Sequence, residues 1–402
     1  MPSTTADDVQ TLEARHILQT YRRAPVTFVR GEGVRLYDAE GREYFDLLSG
    51  IGVASLGHAH PGLARALADQ AQTLVHTSNL FFHPLQGQVA LRLANLSGLP
   101  RAFFCNSGTE AVEACLKFAR RYWYTKGAPR AEFVALDESF HGRTLGALSV
   151  TSDEHYRAPF EPLLPTVTFV RTNDAAALTA AVSSSTAAII AESVIGEGGI
   201  RPLTPAFASA IKDACAKTGA LFIADEIQSG LGRTGYPFHF QALGLAPDLV
   251  SVGKALGGGV PIGAALVSQH VADTISFGDH GSTYGGNLLA CRAALCVLSE
   301  IFDHGVADSV KRVGAAFERR LRAIAAKHAI VSEVRGTGLM WGVVLNRDAG
   351  AVVPAALEHG VVVNRTAERV VRLLPPLVIT EADADEALNR LDAALGAVGA
   401  SA

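Results

Sequence analysis

Two residues at the ends of apolar segments have side chains that could do chemistry. Lys254 ends the segment Asp248-Leu-Val-Ser-Val-Gly-Lys254, and Asp225 ends the segment Gly219-Ala-Leu-Phe-Ile-Ala-Asp225. A charged group at the end of a buried strand loses hydration, so it usually has a partner or a function there. A lysine in this position can also be an ordinary solvated boundary residue. Two such strand ends predict instead that Lys254 and Asp225 belong to one site.

A third group, Asn106-Ser-Gly-Thr-Glu110, follows an apolar segment and opens a helical pattern. Its backbone N–H groups and hydroxyls would gather at the positive end of a helix, and such a place binds phosphate. The alternative is an ordinary helix cap supplied by a Ser or Thr hydroxyl. The segment lacks both GxxxxGK[ST] and GxGxxG, so a small phosphate ligand is favoured over a nucleotide.

A phosphate site, a strand-end aspartate and a strand-end lysine are together what pyridoxal 5′-phosphate (PLP) requires. Lys254 would hold this cofactor as a covalent Schiff base. Asp225 would keep the ring nitrogen protonated, so that the ring can absorb the electrons left when a Cα–H bond breaks. The sequence therefore predicts a PLP enzyme in which Lys254 and Asp225 are the catalytic residues.

Several short motifs lie in order between residues 21 and 379: Leu56-Gly-His-Ala-His-Pro61, Asn106-Ser-Gly-Thr-Glu-Ala111, Phe140-His-Gly-Arg-Thr-Leu145, Gly196-Glu-Gly-Gly199, Asp225-Glu-Ile-Gln228 with Gly232-Arg-Thr-Gly235, Gly253-Lys-Ala-Leu-Gly-Gly-Gly259, and Gly281-Ser-Thr-Tyr-Gly-Gly-Asn287. Each is weak alone. In their order and spacing they resemble the class III, subgroup II PLP-dependent aminotransferases, most closely the N-acetylornithine aminotransferases. This resemblance implies PLP-dependent transferase fold type I, an α/β fold with a mostly parallel mixed sheet in the large domain and a smaller α+β domain.

The resemblance also implies how the cofactor is held. Phe140 stacks on one ring face, as suits an aromatic side chain beside a pyridinium, and Ile227 covers the other; plain core packing is the alternative for both. Gln228 reaches the phenolic oxygen, and Thr283 completes the phosphate site from the neighbouring subunit of a homodimer. The residues assigned to cofactor binding are Ser107, Gly108, Thr109, Phe140, His141, Asp225, Ile227, Gln228, Lys254 and Thr283.

Four further residues are assigned to the substrates by the same resemblance. Arg143 clamps a substrate carboxylate with its planar fork, and Arg372 receives the α-carboxylate of 2-oxoglutarate. Glu197 pairs with Arg372 while the amino donor occupies the site. Tyr21 lines the pocket of the ω-amine. If the resemblance is set aside, the sequence alone predicts that Arg372 is a surface charge at a strand end and that Glu197 is an acidic loop residue. Tyr21 would then only pack the N-terminal segment.

The predicted reaction is a ping-pong transamination. The ω-amino group of N2-acetylornithine passes to 2-oxoglutarate, giving N-acetylglutamate 5-semialdehyde and glutamate, as in arginine biosynthesis. Ser193, Gly196 and Leu288 depart from the residues usual in relatives, so ornithine, 4-aminobutyrate and succinylornithine stay as alternative donors. An aminomutase or racemase with the same lysine is a rival function, and a regulator that only binds the cofactor is another. A nucleotide-binding module built on Gly257-Gly-Gly259 is disfavoured, because that run follows the lysine.

Secondary-structure patterns supply the elements that position these residues. Between residues 104 and 267, helical segments at 110–124 and 205–218 alternate with apolar strands at 99–105, 132–136, 166–170, 187–191, 220–224 and 249–252. This alternation predicts a mostly parallel sheet covered on both faces. A hairpin around Asp38-Ala-Glu-Gly41 precedes it. We expect three parts: an N-terminal segment, residues 1–50, that packs with the small domain; a large PLP-binding domain, residues 51–290; and a small α+β domain, residues 291–402.

The expected C-terminal domain contains helices from 287 to 299, from 307 to 328 and from 381 to 398, with strands at 338–345, 361–363 and 370–374. The composition fits a folded, core-rich protein, with 402 residues, 49% hydrophobic and 18% charged. A net charge of −4 gives no basic field for nucleic acid or an anionic membrane.

Five cysteines without CxxC spacing favour a reducing cytosol. Residues 1–8 carry acids and no apolar core, so we expect no secretory signal and a cytoplasmic protein. His58 and His60 form an HxH pair without a third ligand at suitable spacing, and no metal is expected.

Overall fold

The computed structural model describes residues 6–400. The expectation about a secretory signal in residues 1–8 falls largely outside this range. Helices cover both faces of a central seven-stranded sheet, and smaller sheets form a second α+β unit. The mostly parallel α/β architecture predicted from the sequence is thus confirmed. Among residues 6–400, no helix is both long and apolar enough to cross a membrane.

The strands are short, and most of them match apolar segments of the sequence. Within the described residues they are β1 Phe28–Glu32, β2 Arg35–Asp38, β3 Glu43–Asp46, β4 Arg101–Cys105, β5 Glu132–Leu136, β6 Val167–Val170, β7 Thr186–Glu192, β8 Val194–Ile195, β9 Arg201–Pro202, β10 Leu221–Asp225, β11 Leu249–Val252, β12 Gly263–Val267, β13 Val331–Thr337, β14 Met340–Leu345, β15 Val361–Val362, β16 Asn364–Thr366 and β17 Val370–Leu373.

The helices of the described part of the chain are α1 Ala6–His16, α2 Ser49–Gly52, α3 Pro61–Thr73, α4 Gln86–Ser97, α5 Gly108–Thr125, α6 Leu145–Ser149, α7 Glu154–Arg157, α8 Ala175–Ala181, α9 Pro205–Thr218, α10 His239–Ala242, α11 Gln269–Ala272, α12 Leu288–Phe302, α13 Val306–Lys327, α14 Val352–Glu358 and α15 Glu381–Ala400, with 3₁₀ turns at Ala158–Phe160 and Lys254–Gly257. Helix α9 matches the predicted 205–218. Its ends have clear causes: Thr204 caps the first turn, Pro205 occupies the first position, and Gly219 follows in a left-handed conformation with φ 76°.

The central sheet has the strand order β4-β12-β11-β10-β7-β5-β6. Strands β11, β10, β7, β5 and β6 are mutually parallel, whereas β12 runs antiparallel to both β11 and β4. Every residue of β7 and of β10 is buried. Burial on both faces explains why these strands read as continuous apolar segments rather than alternating ones. Their carboxyl ends meet at one edge of the sheet, where open α/β sheets bind ligands.

The second unit contains two four-stranded sheets, β13-β14-β17-β16 and β1-β2-β3-β15. In the latter, Val361 of β15 pairs in parallel with Phe45 of β3, so the N-terminal hairpin shares a sheet with a C-terminal strand. Phe317, Trp341 and Leu391 belong to the core of this unit. The boundaries predicted at residues 50 and 290 remain predictions.

The sequence prediction missed strands β13 and β16 of this unit. Strand β13 was not predicted; its pairing with β14 shifts register between Val331 and Glu333, which breaks the alternation that marks a strand. The expected strand 361–363 is present as β15, which joins β3, whereas β16, which joins β17 in the other sheet, was not predicted. Only β15 depends on a partner distant in sequence, β3, since β13 and β16 pair with the strands that follow them, β14 and β17.

Candidate active site

The carboxyl ends of three neighbouring strands bring chemical groups together. Asp225 ends β10 and pairs in register with Glu192, the last residue of β7. On its other side Asp225 is in register with Ser251 of β11, and Lys254 follows two residues after that strand. Two carboxylates and one amine therefore converge at the edge where parallel strands of this sheet end.

These groups line a cavity of about 240 Å³. Its walls are formed by Gly108, Thr109, Phe140, His141, Gly142, Arg143, Glu192, Asp225, Ile227, Gln228 and Lys254. The structure thus brings together most of the residues assigned from the sequence, although they span residues 108–254. Such a small concave space with a few convergent polar groups is typical of a ligand or cofactor site.

Lys254 is held in an uncommon backbone conformation, with φ 42°. For a residue other than glycine this region costs about 1–3 kcal/mol, and such strain concentrates at functional sites. Within residues 6–400 its amine makes no ion pair or hydrogen bond. Burial lowers the pKa of Lys254 below its ordinary value; Glu197 opposes this shift and the charge of Arg372 adds to it. The amine is therefore neutral in a larger fraction of molecules than an exposed lysine would be.

Asp225 is 3% exposed and is fixed by two contacts. Nδ1 of His141 lies 2.7 Å from its Oδ2, and the backbone N–H of Ile227 donates to its Oδ1 at 3.1 Å. The backbone N–H of His141 donates in turn to the hydroxyl of Thr151. His141 is thus placed behind Asp225, where it orients the carboxylate, and the structure leaves its Nε2 without a hydrogen-bond partner among the described residues.

Glu192 is a functional candidate that the sequence reasoning did not assign. Its two carboxylate oxygens accept hydrogen bonds from the backbone N–H groups of Phe140, at 2.9 Å, and Gly196, at 2.8 Å. Burial raises the pKa of Glu192 to about 7; His141 opposes this and the neighbouring charge of Asp225 adds to it. The sequence did contain a pattern that could have indicated Glu192, because this residue ends an apolar segment as Asp225 does.

Helix α5 begins at the cavity. Ser107 caps this helix, and its hydroxyl accepts from the N–H of Glu110 at 3.3 Å. This agrees with the alternative interpretation of the sequence, an ordinary helix cap supplied by a hydroxyl. The N–H groups of Gly108 and Thr109 have no acceptor within the described chain, so they stay available for an anion. A Cβ on Gly108 would lie 2.8 Å from Cδ1 of Ile227. Glycine is required there because Ile227 packs directly against the helix start.

Glu197 and Arg372 form an ion pair, with Nη1 of Arg372 2.5 Å from Oε1 of Glu197. Nε of Arg372 donates to Oδ1 of Asn364, and its Nη2 is buried without a partner among the described residues. Burial alone would raise the pKa of Glu197, but the charge and hydrogen bonds of Arg372 lower it overall. Arg335 donates to the carbonyl oxygen of Gly199 at 2.8 Å, which fixes the outer side of the Glu197 loop.

Arg143 also lines the cavity, and its guanidinium is stacked on aromatic rings. Its Cζ lies 3.6 Å from the ring centroid of Tyr156 and 5.5 Å from that of Phe140. The ring of Phe140 faces the cavity containing Lys254. Arg143 therefore presents a cation at the rim of the same cavity.

Five residues assigned from the sequence do not line this cavity: Ser107, Glu197 and Arg372, described above, and Tyr21 and Thr283. Tyr21 is 74% exposed. Thr283 is exposed and lines a separate surface cavity of about 680 Å³ together with Ser78, Asn79 and Gln86. The roles of Tyr21 and Thr283 stay predictions.

The HxH pair has other contacts. Nε2 of His58 lies 2.7 Å from Oδ2 of Asp46, and Nδ1 of His60 accepts from the N–H of Leu63 at the start of α3. Nε2 of His58 and Nδ1 of His60 are therefore engaged in contacts within the protein. Among the described residues, no group of three or more His, Cys, Asp or Glu side chains is placed to hold a metal ion.

The three departures from the usual family residues have local explanations. The hydroxyl of Ser193 donates to Oε1 of Glu226 at 2.6 Å, so it helps to satisfy a buried carboxylate. Gly196 leaves room for Gln228, since a Cβ at Gly196 would lie 2.6 Å from Nε2 of Gln228. Leu288 occupies the first position of α12, directly after the cap Asn287, and is buried.

Comparison with known proteins gives consistent similarities. Residues 17–395 match the family described as aminotransferase class-III. The acetylornithine aminotransferase of Methanocaldococcus jannaschii is 44% identical over 382 residues, which cover 95% of this chain and 96% of that protein.

Two solved structures are similar over nearly their whole length. One is the ornithine aminotransferase of Toxoplasma gondii, described as having partial occupancy of PLP at its active site, with 34% identity, a TM-score of 0.95 and coverage of 100% of this chain and 96% of that one. The other is the N-acetylornithine aminotransferase of Stenotrophomonas maltophilia, with 35% identity, a TM-score of 0.84 and coverage of 98% and 100%.

Proposed function

This chain belongs to the class-III aminotransferases, and on that premise we propose that it transfers the ω-amino group of N2-acetylornithine to 2-oxoglutarate with PLP as cofactor. The products are N-acetylglutamate 5-semialdehyde and glutamate. Relatives that carry the acetylornithine aminotransferase name support this choice of donor. Conversion of ornithine, 4-aminobutyrate or succinylornithine would use the same residues.

The residues of the cavity fit PLP. The free N–H groups of Gly108 and Thr109 suit its phosphate, the carboxylate of Asp225 suits its ring nitrogen, and Lys254 is the amine that would attach it. Phe140 and Ile227 supply apolar faces for a flat ring. When bound, PLP supplies an electron sink that stabilises the negative charge formed at the donor carbon.

Lys254 moves the proton. Its amine has no competing partner within residues 6–400, and burial lowers its pKa, so the neutral form can take a proton from the donor carbon. The resulting ammonium can return that proton one step later. The nearby carboxylates of Glu197 and Asp225 stabilise the ammonium between these transfers. General base and general acid are therefore one residue.

Asp225 keeps its orientation through His141. A carboxylate held by the His141 ring and by the N–H of Ile227 loses little freedom when it pairs with a cationic ring nitrogen. Neither contact has to move during turnover. This fixed negative charge is the preorganised electrostatic element of the site.

Glu197 and Arg372 allow one pocket to accept two kinds of substrate. While the ion pair is closed, the guanidinium is neutralised and an ω-amine without a carboxylate beside the reacting carbon can enter. When Glu197 swings away, Arg372 offers Nη1 and the unpartnered Nη2 to the α-carboxylate of 2-oxoglutarate. Arg143 takes the carboxylate at the far end of either substrate.

We also propose a cytoplasmic homodimer in which Thr283 reaches the phosphate site of the partner. Exposed large apolar side chains lie near this loop in sequence, including Phe277 and Tyr284, and another exposed set occurs at Leu80, Phe81 and Phe82. Asn79 donates to the carbonyl oxygens of Ser282 and Gly285, which links the two segments. Exposed apolar patches of this kind support a protein interface. All five cysteines have free thiols, as is usual in the reducing cytoplasm, which supports the proposed location.

The observation that carries the proposal is the unpaired amine of Lys254 in one cavity with Asp225, close to the charges of Glu197 and Arg372. The test compares initial rates with acetylornithine, ornithine, 4-aminobutyrate and succinylornithine, each with 2-oxoglutarate. We expect acetylornithine to have the highest kcat/KM, and the K254A variant to fold but to transfer no amine. Turnover of 4-aminobutyrate without any turnover of acetylornithine would overturn the choice of donor.

A further inference from the structure

Arg143 is held by an aromatic ring rather than by an acid. Its Cζ lies 3.6 Å from the ring centroid of Tyr156. The Tyr156 ring in turn meets the ring of Phe140 edge to face, with centroids 6.4 Å apart and planes at 85°. Phe140, Tyr156 and Arg143 therefore form a continuous contact from the cavity of Lys254 to its outer rim.

Stacking leaves the hydrogen-bonding capacity of Arg143 intact. Within residues 6–400 its guanidinium takes part in no ion pair and no hydrogen bond. A guanidinium stacked through its face keeps its N–H groups free in the plane, where they can grip a carboxylate with two parallel bonds. An ion pair with a protein carboxylate would have consumed those donors.

Tyr156 is placed on a supported element. It lies in the short helix α7, whose first turn is capped by the side chain of Asp153, and the N–H of Tyr156 donates to the carbonyl oxygen of Asp153 at 3.1 Å. Its side chain is half-buried and lines an outer cavity of about 680 Å³ that adjoins Phe140.

Acidic side chains share the wall of that outer cavity. The carboxylates in question are those of Glu138, Asp153, Glu197 and Glu368. Glu138 is already paired with Arg201 and Glu197 with Arg372. Without a fixed stack, the long and flexible Arg143 could turn toward Asp153 or Glu368 and lose the donors that a substrate needs. The ring of Tyr156 is what competes with them for the guanidinium.

We infer that Tyr156 is a positioning residue that holds Arg143 for the carboxylate at the far end of the substrate, and so selects donors and acceptors that carry one. This inference rests on the proposed function, because it names how the same site recognises its substrates. Tyr156 itself does not line the cavity of Lys254.

The matched test uses Y156F, which keeps the stack, and Y156L, which removes it. We expect Y156L to raise the KM for acetylornithine about tenfold while kcat changes less than about twofold, since cation–π contacts of this kind are worth roughly three- to thirtyfold in affinity. The Y156F variant should stay within about twofold of the wild type. A carboxylate-free ω-amine, 1,4-diaminobutane, should react equally with all three proteins in single-turnover measurements.

The Y37L variant provides the control for loss of a stacked tyrosine. The Cζ of Arg30 also lies 3.6 Å from the ring centroid of Tyr37, on the N-terminal hairpin outside the cavity. We expect Y37L to leave every KM unchanged. Thermal unfolding of each variant checks that the fold is kept.

Three results would each overturn the role of Tyr156. Y156L could lose activity equally on acetylornithine and on 1,4-diaminobutane, or keep the KM of the wild type for acetylornithine. Y156F could also show as high a KM for acetylornithine as Y156L. A wild-type enzyme that converts no acetylornithine would instead contradict the proposed function. The same three proteins are then compared on 4-aminobutyrate, which also carries a terminal carboxylate. A rise of the KM for 4-aminobutyrate in Y156L alone would still support the positioning role. An unchanged KM for 4-aminobutyrate in Y156L would contradict that role.

Discussion

Arg372 is completely buried, and its guanidinium is paired with the carboxylate of Glu197, Nη1 to Oε1, at 2.5 Å. A buried guanidinium with one free nitrogen is costly unless a second anion can reach it. The Glu197 side chain is one-third exposed, at 33%, so it can leave the pair for solvent more readily than Arg372 can. The pair is thus arranged so that the glutamate, and not the arginine, moves.

Replacing Glu197 tests this arrangement. In E197Q the neutral amide no longer neutralises Arg372, so we expect kcat/KM for acetylornithine to fall and kcat/KM for glutamate as donor to rise, each by about tenfold or more. The ratio of the two values is the measurement. Glu368 lines the outer cavity without pairing with Arg372, so E368Q is the matched control and should leave the ratio unchanged. A ratio unaltered in E197Q would show that Glu197 does not control which substrate enters.

Gly196 offers a second test, because its lack of a side chain makes room for Gln228. In G196A the new Cβ would press on the Gln228 amide, which a flexible side chain avoids only by moving away. We expect PLP to dissociate about three- to tenfold faster, the loss of roughly one hydrogen bond. The control is G396A in helix α15, far from the cavity, where a Cβ meets only an ordinary contact at 3.5 Å, with Cε1 of His328. Equal PLP dissociation from both variants would show that Gln228 does not hold the cofactor.

Glu192 predicts a pH dependence of stability. Burial raises its pKa from 4.5 to about 7, so the folded protein favours the protonated acid. The stability that this proton contributes is fully present below pH 4.5 and is lost as the pH rises through about 7. In cofactor-free protein, the melting temperature of E192Q relative to the wild type should therefore increase between about pH 5 and pH 8. A difference that stays constant over that range would contradict the buried, protonated state of Glu192.

Asp225 should matter for rate more than for folding. In D225N the amide cannot pair with a cationic ring nitrogen, and we expect kcat to fall by about a hundredfold to ten thousandfold with PLP still bound. Asp248 is the matched control, because it is also an aspartate beside the central strands but accepts from the N–H of Phe222 and does not line the cavity. D248N should keep kcat within about twofold. Comparable losses of kcat in both variants would assign the effect to folding rather than to chemistry.

The central sheet and its strand-end residues could be predicted from the sequence because both depend on local pattern. Buried strands such as β10 are continuous apolar segments, and a charged residue such as Asp225 at their end is visible without knowledge of the fold. The helix α5 cap was visible in the same way. Assignment of Phe140 and Ile227 needed the resemblance to a family, since apolar side chains in a site look like core.

Contacts between distant segments could not be predicted. Strand β15 was expected, but its pairing with β3, more than 300 residues earlier in the chain, was not. The stack of Arg143 on Tyr156 depends on where α7 is placed, and nothing local distinguishes Tyr156 from any half-buried tyrosine. Glu192 was missed for a different reason. Its position at a strand end can be seen in the sequence, but the two backbone N–H groups that hold its carboxylate come from separate loops, which the sequence does not bring together.

The most direct test of the central claim is to identify the amine that carries the cofactor. The wild-type protein is incubated with PLP, reduced with borohydride, digested, and mapped by mass spectrometry. We expect the added pyridoxyl phosphate mass on the peptide that contains Lys254, with K254A unlabelled. Label on another lysine, or equal label in wild type and K254A, would contradict the assignment of this cavity as the site of amino transfer.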